Sequence, residues 1–115
     1  MRIDLLYTPS CPHHAGTLEL IHEVLREVGI QAAVASVAVA SEDEAQRLRF
    51  VGSPTVRVND LDLEPNATFA ARDFGLRCRA YAGDGKVTDI PSRRALRDAI
   101  EMGFLAEMDL LGTCC

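Results

Sequence analysis

The sequence predicts an α/β domain with the element order β-α-β-α-β-β-α, folded as a four-stranded mixed sheet flanked by helices. Three observations predict it. Short Val-, Ile- and Leu-rich runs alternate with longer segments whose apolar residues recur at helical spacing. The opening strand–helix–strand unit calls for a parallel, right-handed pair, whereas the last two strands, neighbours in sequence, should pair antiparallel. The 115 residues, 48% hydrophobic and 25% charged, suffice for one domain with its own core.

Arg2–Tyr7 reads as a central strand because apolar residues fall on both of its faces. Thr8-Pro9-Ser10-Cys11 breaks it. From Pro12 to Val28, Leu18, Ile21, Leu25 and Val28 recur at helical spacing, and Leu20 and Val24 widen the stripe. Pro12 suits a first helical turn, where its missing N–H would have had no partner. Gly29 stands where a left-handed cap ends the helix. Gln31–Ala40, rich in Val and Ala, reads as a second buried strand. Ser41 and Glu44 have the spacing of a capping box, in which each side chain meets the other's backbone N–H, and they open a short helix to about Arg49.

Thr55–Val58 alternates as a third strand closed by Asn59-Asp60, and residues 64–75 read as irregular. Arg77–Tyr81 alternates as the fourth strand, with Arg77, Arg79 and Tyr81 on one side and Cys78 and Ala80 on the other. A turn follows at Ala82-Gly83-Asp84-Gly85. Ser92 caps a last helix whose Leu96, Ala99, Ile100 and Phe104 face inward while Arg93, Arg97 and Glu101 face water. Leu105, Met108 and Leu111 keep the spacing beyond Gly103, so the helix continues or resumes to Gly112. The domain then spans 1–112, and 113–115 form a short flexible tail ending in Cys114-Cys115.

Twelve basic and seventeen acidic residues give a net charge of −5, which repels phosphate backbones and argues against nucleic acid as a partner. Met1-Arg2-Ile3-Asp4-Leu5-Leu6 is too short and too acidic for a signal peptide. No run approaches the ~20 apolar residues that span a bilayer, so a cytoplasmic protein without a membrane partner is expected. In a reducing cytosol, four cysteines point to catalysis or metal rather than to a disulfide framework, and the sequon Asn66-Ala67-Thr68 has no glycosylation meaning.

Chemistry concentrates in two segments. Tyr7-Thr8-Pro9-Ser10-Cys11-Pro12-His13-His14 places a thiol where a strand gives way to a helix. A thiolate there faces unpaired N–H groups and the positive end of the helix dipole, which favour the anion, the nucleophilic form. Gly52-Ser53-Pro54-Thr55-Val56 places a proline immediately before a strand.

With the element order, these segments resemble the thioredoxin superfamily. Cys11-Pro12-His13 is similar to the start of the Cys-Pro-His-Cys of periplasmic disulfide oxidases and the Cys-Pro-Tyr-Cys of glutaredoxins. Ser53-Pro54-Thr55 is similar to the superfamily's cis-proline segment. The resemblance implies a thioredoxin-like fold, a cis peptide before Pro54 and Pro54 beside the Cys11 sulfur. It makes Cys11 the nucleophile of thiol–disulfide exchange, with Ser53 and Pro54 as the wall aligning the partner sulfur. Two departures qualify it. His14 stands where the second cysteine would be, so the usual two-thiol cycle cannot run within the motif. The Gly-Gly-Asp by which glutaredoxins hold glutathione is replaced by Asp62-Leu63-Glu64-Pro65.

His14 reads either as a surface residue or as an imidazole that serves the Cys11 sulfur as acid/base or joins it on a metal. His13 and His22 read as surface residues, and Cys78 as a buried structural thiol. Cys114-Cys115 offers a soft bidentate donor for Hg(II), Cu(I), Zn(II) or arsenic(III), and is similar to the C-terminal Cys-Cys that collects mercury in mercuric reductases. Three functions follow. The first is single-cysteine thiol redox chemistry with protein or small-molecule thiols and disulfides as partners. The second is a thiophilic-metal carrier using Cys11, Cys114 and Cys115, in which a symmetric homodimer could bring a tail to Cys11. The third is a non-catalytic thioredoxin-like interaction module. Only the second involves a bound ion.

Overall fold

The first strand, β1 (Arg2–Tyr7), runs through the middle of the sheet with a neighbour on each side. The computed structural model describes residues 1–64, 74–83 and 86–112. Within them β2 (Ala33–Ala38) lies parallel to β1, and β3 (Thr55–Val58) lies antiparallel on its other side. β4 (Leu61–Asp62) completes a four-stranded mixed sheet in the order β2-β1-β3-β4. Leu5 pairs with Ser36 on one side and Val56 on the other, so β1 is hydrogen-bonded along both edges.

Successive side chains of a strand point to opposite faces. Ile3 and Leu5 therefore join Val56 and Val58 on one face, where they meet Ile21, Val24 and Leu25 of α1 (His14–Val28) and Leu96 and Ile100 of α3 (Arg93–Gly112). Leu6 points the other way, to a second cluster with Val39, Ala45 and Phe50 beneath α2 (Glu42–Arg47). Each large side chain buried this way contributes roughly 1.5–3 kcal/mol. Across the exposed side of the α1–α3 contact, Arg93 pairs with Glu23 and Glu27, and Arg97 with Glu27. These pairs are half exposed, so water screens them and packing carries the contact.

The helix ends follow local chemistry. Gly29, at φ 69°, ends α1 with its N–H on the Leu25 carbonyl. Ser41 Oγ accepts the Glu44 N–H at 3.2 Å, the first arm of the capping box. The return arm differs: the Ser41 hydroxyl donates to the Glu44 carboxylate at 3.3 Å instead of Glu44 reaching the Ser41 N–H. At the other end of α2, Arg49 turns left-handed at φ 54°, and the Phe50 N–H bonds the Ala45 carbonyl at 2.9 Å, which swings Phe50 into the core. Arg57, reaching over from β3, donates to the carbonyls of Leu48 and Arg49.

Several expectations need correction. The second strand is Ala33–Ala38, and it is largely exposed because it forms the sheet's outer edge. The fourth strand is Leu61–Asp62 rather than Arg77–Tyr81. Asn59 and Asp60, at φ 50° and 69°, make a two-residue hairpin that returns the chain at once, leaving no room beside β3 for a later strand. Cys78 makes only an isolated parallel bridge to Ser53. Beyond it, β5 (Tyr81–Gly83) pairs with β6 (Lys86–Thr88) in a separate two-stranded sheet. Ala82 and Gly83 of the expected turn thus belong to β5, while Asp84 and Gly85 lie outside the described residues.

Ser92 does cap the last helix, accepting the Ala95 N–H at 3.1 Å, and α3 runs through Gly103 without a break. Phe104, expected inside, is 39% exposed. At Gly103 the helix passes so near the sheet that an added Cβ would sit 3.0 Å from Val58 Cγ1; one turn on, Glu107 meets the Met1 amino group and Asn59, while Leu105 and Met108 are exposed too. Among the described residues no helix is long and apolar enough to cross a membrane. The tail, 113–115, and the sequon at 66–68 lie outside the described residues.

Replacing Ser41 by Ala removes the acceptor for the Glu44 N–H and is expected to lower stability by about 1 kcal/mol in urea unfolding, with thiol reactivity unaffected.

Candidate functional site

Beyond Tyr7 the chain turns: the Cys11 N–H donates to the Thr8 carbonyl at 2.9 Å, and the Cys11 side chain is left partly buried. Pro12 and His13 continue the turn, so α1 begins at His14, two residues later than expected from Pro12. The reason is that His13 holds the cap position. Its carbonyl takes the Thr17 N–H at 3.0 Å and the Thr17 hydroxyl at 2.7 Å. His13 offers no side-chain acceptor to the helix, and the first turn holds no acidic residue. The leading N–H groups of α1 therefore begin next to the Cys11 turn with no side-chain cap and no acid in their own first turn.

His14 is committed elsewhere. Its ring stacks on Tyr7 with centroids 3.7 Å apart, and its Nε2 lies 3.3 Å from Ser36 Oγ. It ties the helix start to β1 and β2, and among the described residues it makes no hydrogen bond to Cys11. His13 lies 3.6 Å from Asp89, and His22 is exposed.

The Ser53–Pro54 peptide is cis. This buried loop meets the Cys11 turn directly: the Thr8 N–H donates to Ser53 Oγ at 3.0 Å. The backbone of Ser53 is engaged on its other side. Its N–H donates to the Arg77 carbonyl at 2.8 Å, and its carbonyl accepts the Arg79 N–H at 3.0 Å, which makes the bridge to Cys78. Gly52 permits that approach. At φ 148° it adopts a conformation that side chains avoid, and a Cβ there would lie 2.7 Å from Arg79 Cβ.

Behind the loop lies a buried polar network. Arg79 and Asp62 pair through two hydrogen bonds of 2.7 and 2.6 Å, with side chains 4% and 3% exposed. Arg79 also donates to Thr55 Oγ1 at 3.2 Å, and its guanidinium lies 4.3 Å from the centre of the Tyr81 ring. The Tyr81 hydroxyl donates to the Pro54 carbonyl at 2.6 Å. Burial works to lower the basicity of Arg79, but the Asp62 hydrogen bonds and the neighbouring negative groups outweigh it and the balance is upward. Burial pushes the Tyr81 hydroxyl well above its usual value of 10.0, against the opposing pull of Arg79.

The structure thus joins the Cys11 turn to Ser53, the residue before the cis Pro54, and sets His14 against Tyr7 and Ser36. It corrects the reading of Cys78. The expected alternation is inverted there, with Arg79 buried and Cys78 and Ala80 exposed, because the pull of Asp62 on Arg79 decides which way the segment faces. No local pattern marks Asp62, Thr55, Arg79 and Tyr81 as a unit in the sequence. The spacing Arg79-Ala80-Tyr81 was the available signal, and it reads equally well as a solvated face. Among the described residues no group of three or more His, Cys, Asp or Glu could hold a metal ion. No protein-family model, curated protein or solved structure matches the chain.

Asp62→Asn removes the hydrogen-bonded counter-charge of a buried guanidinium and leaves it, among the described residues, only Glu64, 3.6 Å away, and is expected to cost about 3–5 kcal/mol of stability in denaturant unfolding. Tyr81 gives a pH signature. Its folded pKa is raised, so its contribution to stability is complete below the unfolded value of 10.0 and falls away as pH rises above it. Thermal unfolding from neutral pH to above pH 10 should show this decline, and Tyr81→Phe should flatten it.

Proposed function

We propose that this chain is a thioredoxin-like thiol protein whose Cys11 carries out thiol–disulfide exchange. One observation carries the reading: the hydrogen bond from the Thr8 N–H to Ser53 Oγ, which fastens the turn bearing Cys11 to the cis Ser53–Pro54 loop. The strand order β2-β1-β3-β4, with β2 parallel and β3 antiparallel to β1, supports a thioredoxin-like topology.

In the exchange, the Cys11 thiolate attacks one sulfur of a disulfide. A new sulfur–sulfur bond forms, the old one breaks, and the departing sulfur leaves as a thiolate and takes a proton from solvent. Ser53 and Pro54 form the wall along which the incoming disulfide lies. His14, bound to Tyr7 and Ser36, acts as a positioning residue that fixes the helix start relative to the end of β1. The carrier reading with Cys11, Cys114 and Cys115 depends on residues outside those described, so the exchange reading stands first.

Exposing the native protein to glutathione disulfide, quenching at intervals and mapping modified cysteines by mass spectrometry tests this. Cys11 is expected to react first and several-fold faster than it does in the urea-unfolded chain, where the four thiols react alike. Cys11→Ser should abolish the fast phase of thiol release. A fast phase that survives in Cys11→Ser would overturn the assignment.

A further inference from the structure

Exchange at Cys11 leaves a mixed disulfide, and His14 occupies the place where the motif's own second thiol would resolve it. We propose that Cys78 is the resolving thiol, an inference that rests on the exchange reading for Cys11. The geometry behind it is the double engagement of Ser53. On one side Ser53 Oγ accepts from Thr8, the residue whose carbonyl holds the Cys11 N–H. On the other side Ser53 forms a backbone bridge with Cys78 itself. Two segments, each bearing a cysteine and far apart in sequence, are tied to one buried residue.

The transfer requires the Cys11 turn, tied through Thr8 to one side of Ser53, to reach across that residue to the segment bridged on its other side. A disulfide needs Cα atoms at roughly 4.4–6.8 Å. Residues 8–13 belong to no strand or helix, so a shift of Cys11 toward Cys78 breaks no regular element. Cys78 is exposed, which suits a thiol that must lose a proton and attack. The network of Arg79 with Asp62 holds the adjacent residue buried and so keeps the Cys78 segment against the loop.

Ser53 also bears on the partner. Its N–H and its carbonyl are both taken by residues 77 and 79, so an extended peptide cannot pair there without displacing the Cys78 segment. A small-molecule disulfide needs no such pairing, and it is the substrate class this arrangement fits.

The chemistry balances. Cys11 thiolate and a small disulfide RSSR give Cys11–S–S–R and one thiolate. Cys78 then releases its proton to solvent, attacks the Cys11 sulfur and expels the second RS⁻. The two cysteine thiols are oxidised to one disulfide while RSSR is reduced to two RSH. Two equivalents of an external thiol reverse the oxidation and become a disulfide themselves.

The test uses the full chain with Cys114→Ser and Cys115→Ser, so that only Cys11 and Cys78 remain. It is treated with glutathione disulfide, quenched with an alkylating agent, and read by intact mass and peptide mapping. The expected product is monomer lacking two hydrogens, with Cys11 joined to Cys78 and little lasting glutathione adduct. Adding Cys78→Ser should make the adduct on Cys11 accumulate at least tenfold, and Cys78→Ala should do the same, with circular dichroism checking that both fold. A lasting Cys11 adduct in the presence of Cys78 would overturn the resolving role while leaving Cys11 exchange intact. No adduct at Cys11 in any variant would overturn both readings together.

Discussion

A guanidinium and a carboxylate buried side by side in a domain of this size form an expensive feature, and the surroundings of Arg79 and Asp62 are arranged around it. Each ion taken from water loses several kcal/mol of hydration, which only a close, fully hydrogen-bonded partner offsets. Asp62 meets that need with both of its oxygens, and Thr55 takes a further donor of Arg79. The pair joins β4 to a segment that makes no strand with the main sheet. With it, the bridge at Ser53 and the Tyr81 hydroxyl hold the chain from Arg77 to Tyr81 against the loop.

From that anchor the geometry near Cys11 follows. Arg79 fixes its own backbone against Ser53, Tyr81 fixes the Pro54 carbonyl, and Ser53 receives the amide of Thr8. The Cys11 turn is thus supported from below by residues that are themselves buried. On its other flank His14 packs on Tyr7 and reaches Ser36 in the edge strand. A side chain at the start of a helix thereby acts as a strut between helix and sheet. The turn is held at both ends, while its middle, Pro9 and Ser10, stays exposed.

Much of this architecture was legible in the residues. The apolar spacing of α1, the glycine that ends it and the serine caps at Ser41 and Ser92 are local signals, and local physics decided them. The layers on the two faces of β1 were legible for the same reason. What the sequence concealed was decided by distant partners. Arg79 looks like any arginine in an alternating run until Asp62, seventeen positions earlier, draws it inward. Cys78 then turns outward as a consequence. The edge position of β2 was hidden because Ala and Val suit both a buried and an exposed strand. At the candidate site, the position of Cys11 ahead of a helix was legible from Pro12 and the apolar stripe, whereas the tie from Thr8 to Ser53 joins residues forty-five positions apart and leaves no mark in either segment.

The closeness of Gly52 to Arg79 has a consequence for how such a sequence can change over time. With 2.7 Å between Arg79 Cβ and the place where a side chain on residue 52 would begin, that position is closed to every residue larger than glycine. Arg79 and Asp62 constrain each other through charge, since altering Asp62 leaves Arg79 to the more distant Glu64 and altering Arg79 leaves a buried carboxylate. The two constraints differ in kind: residue 79 closes position 52 through its backbone and Cβ whatever side chain it carries, whereas the charges at 62 and 79 can change together.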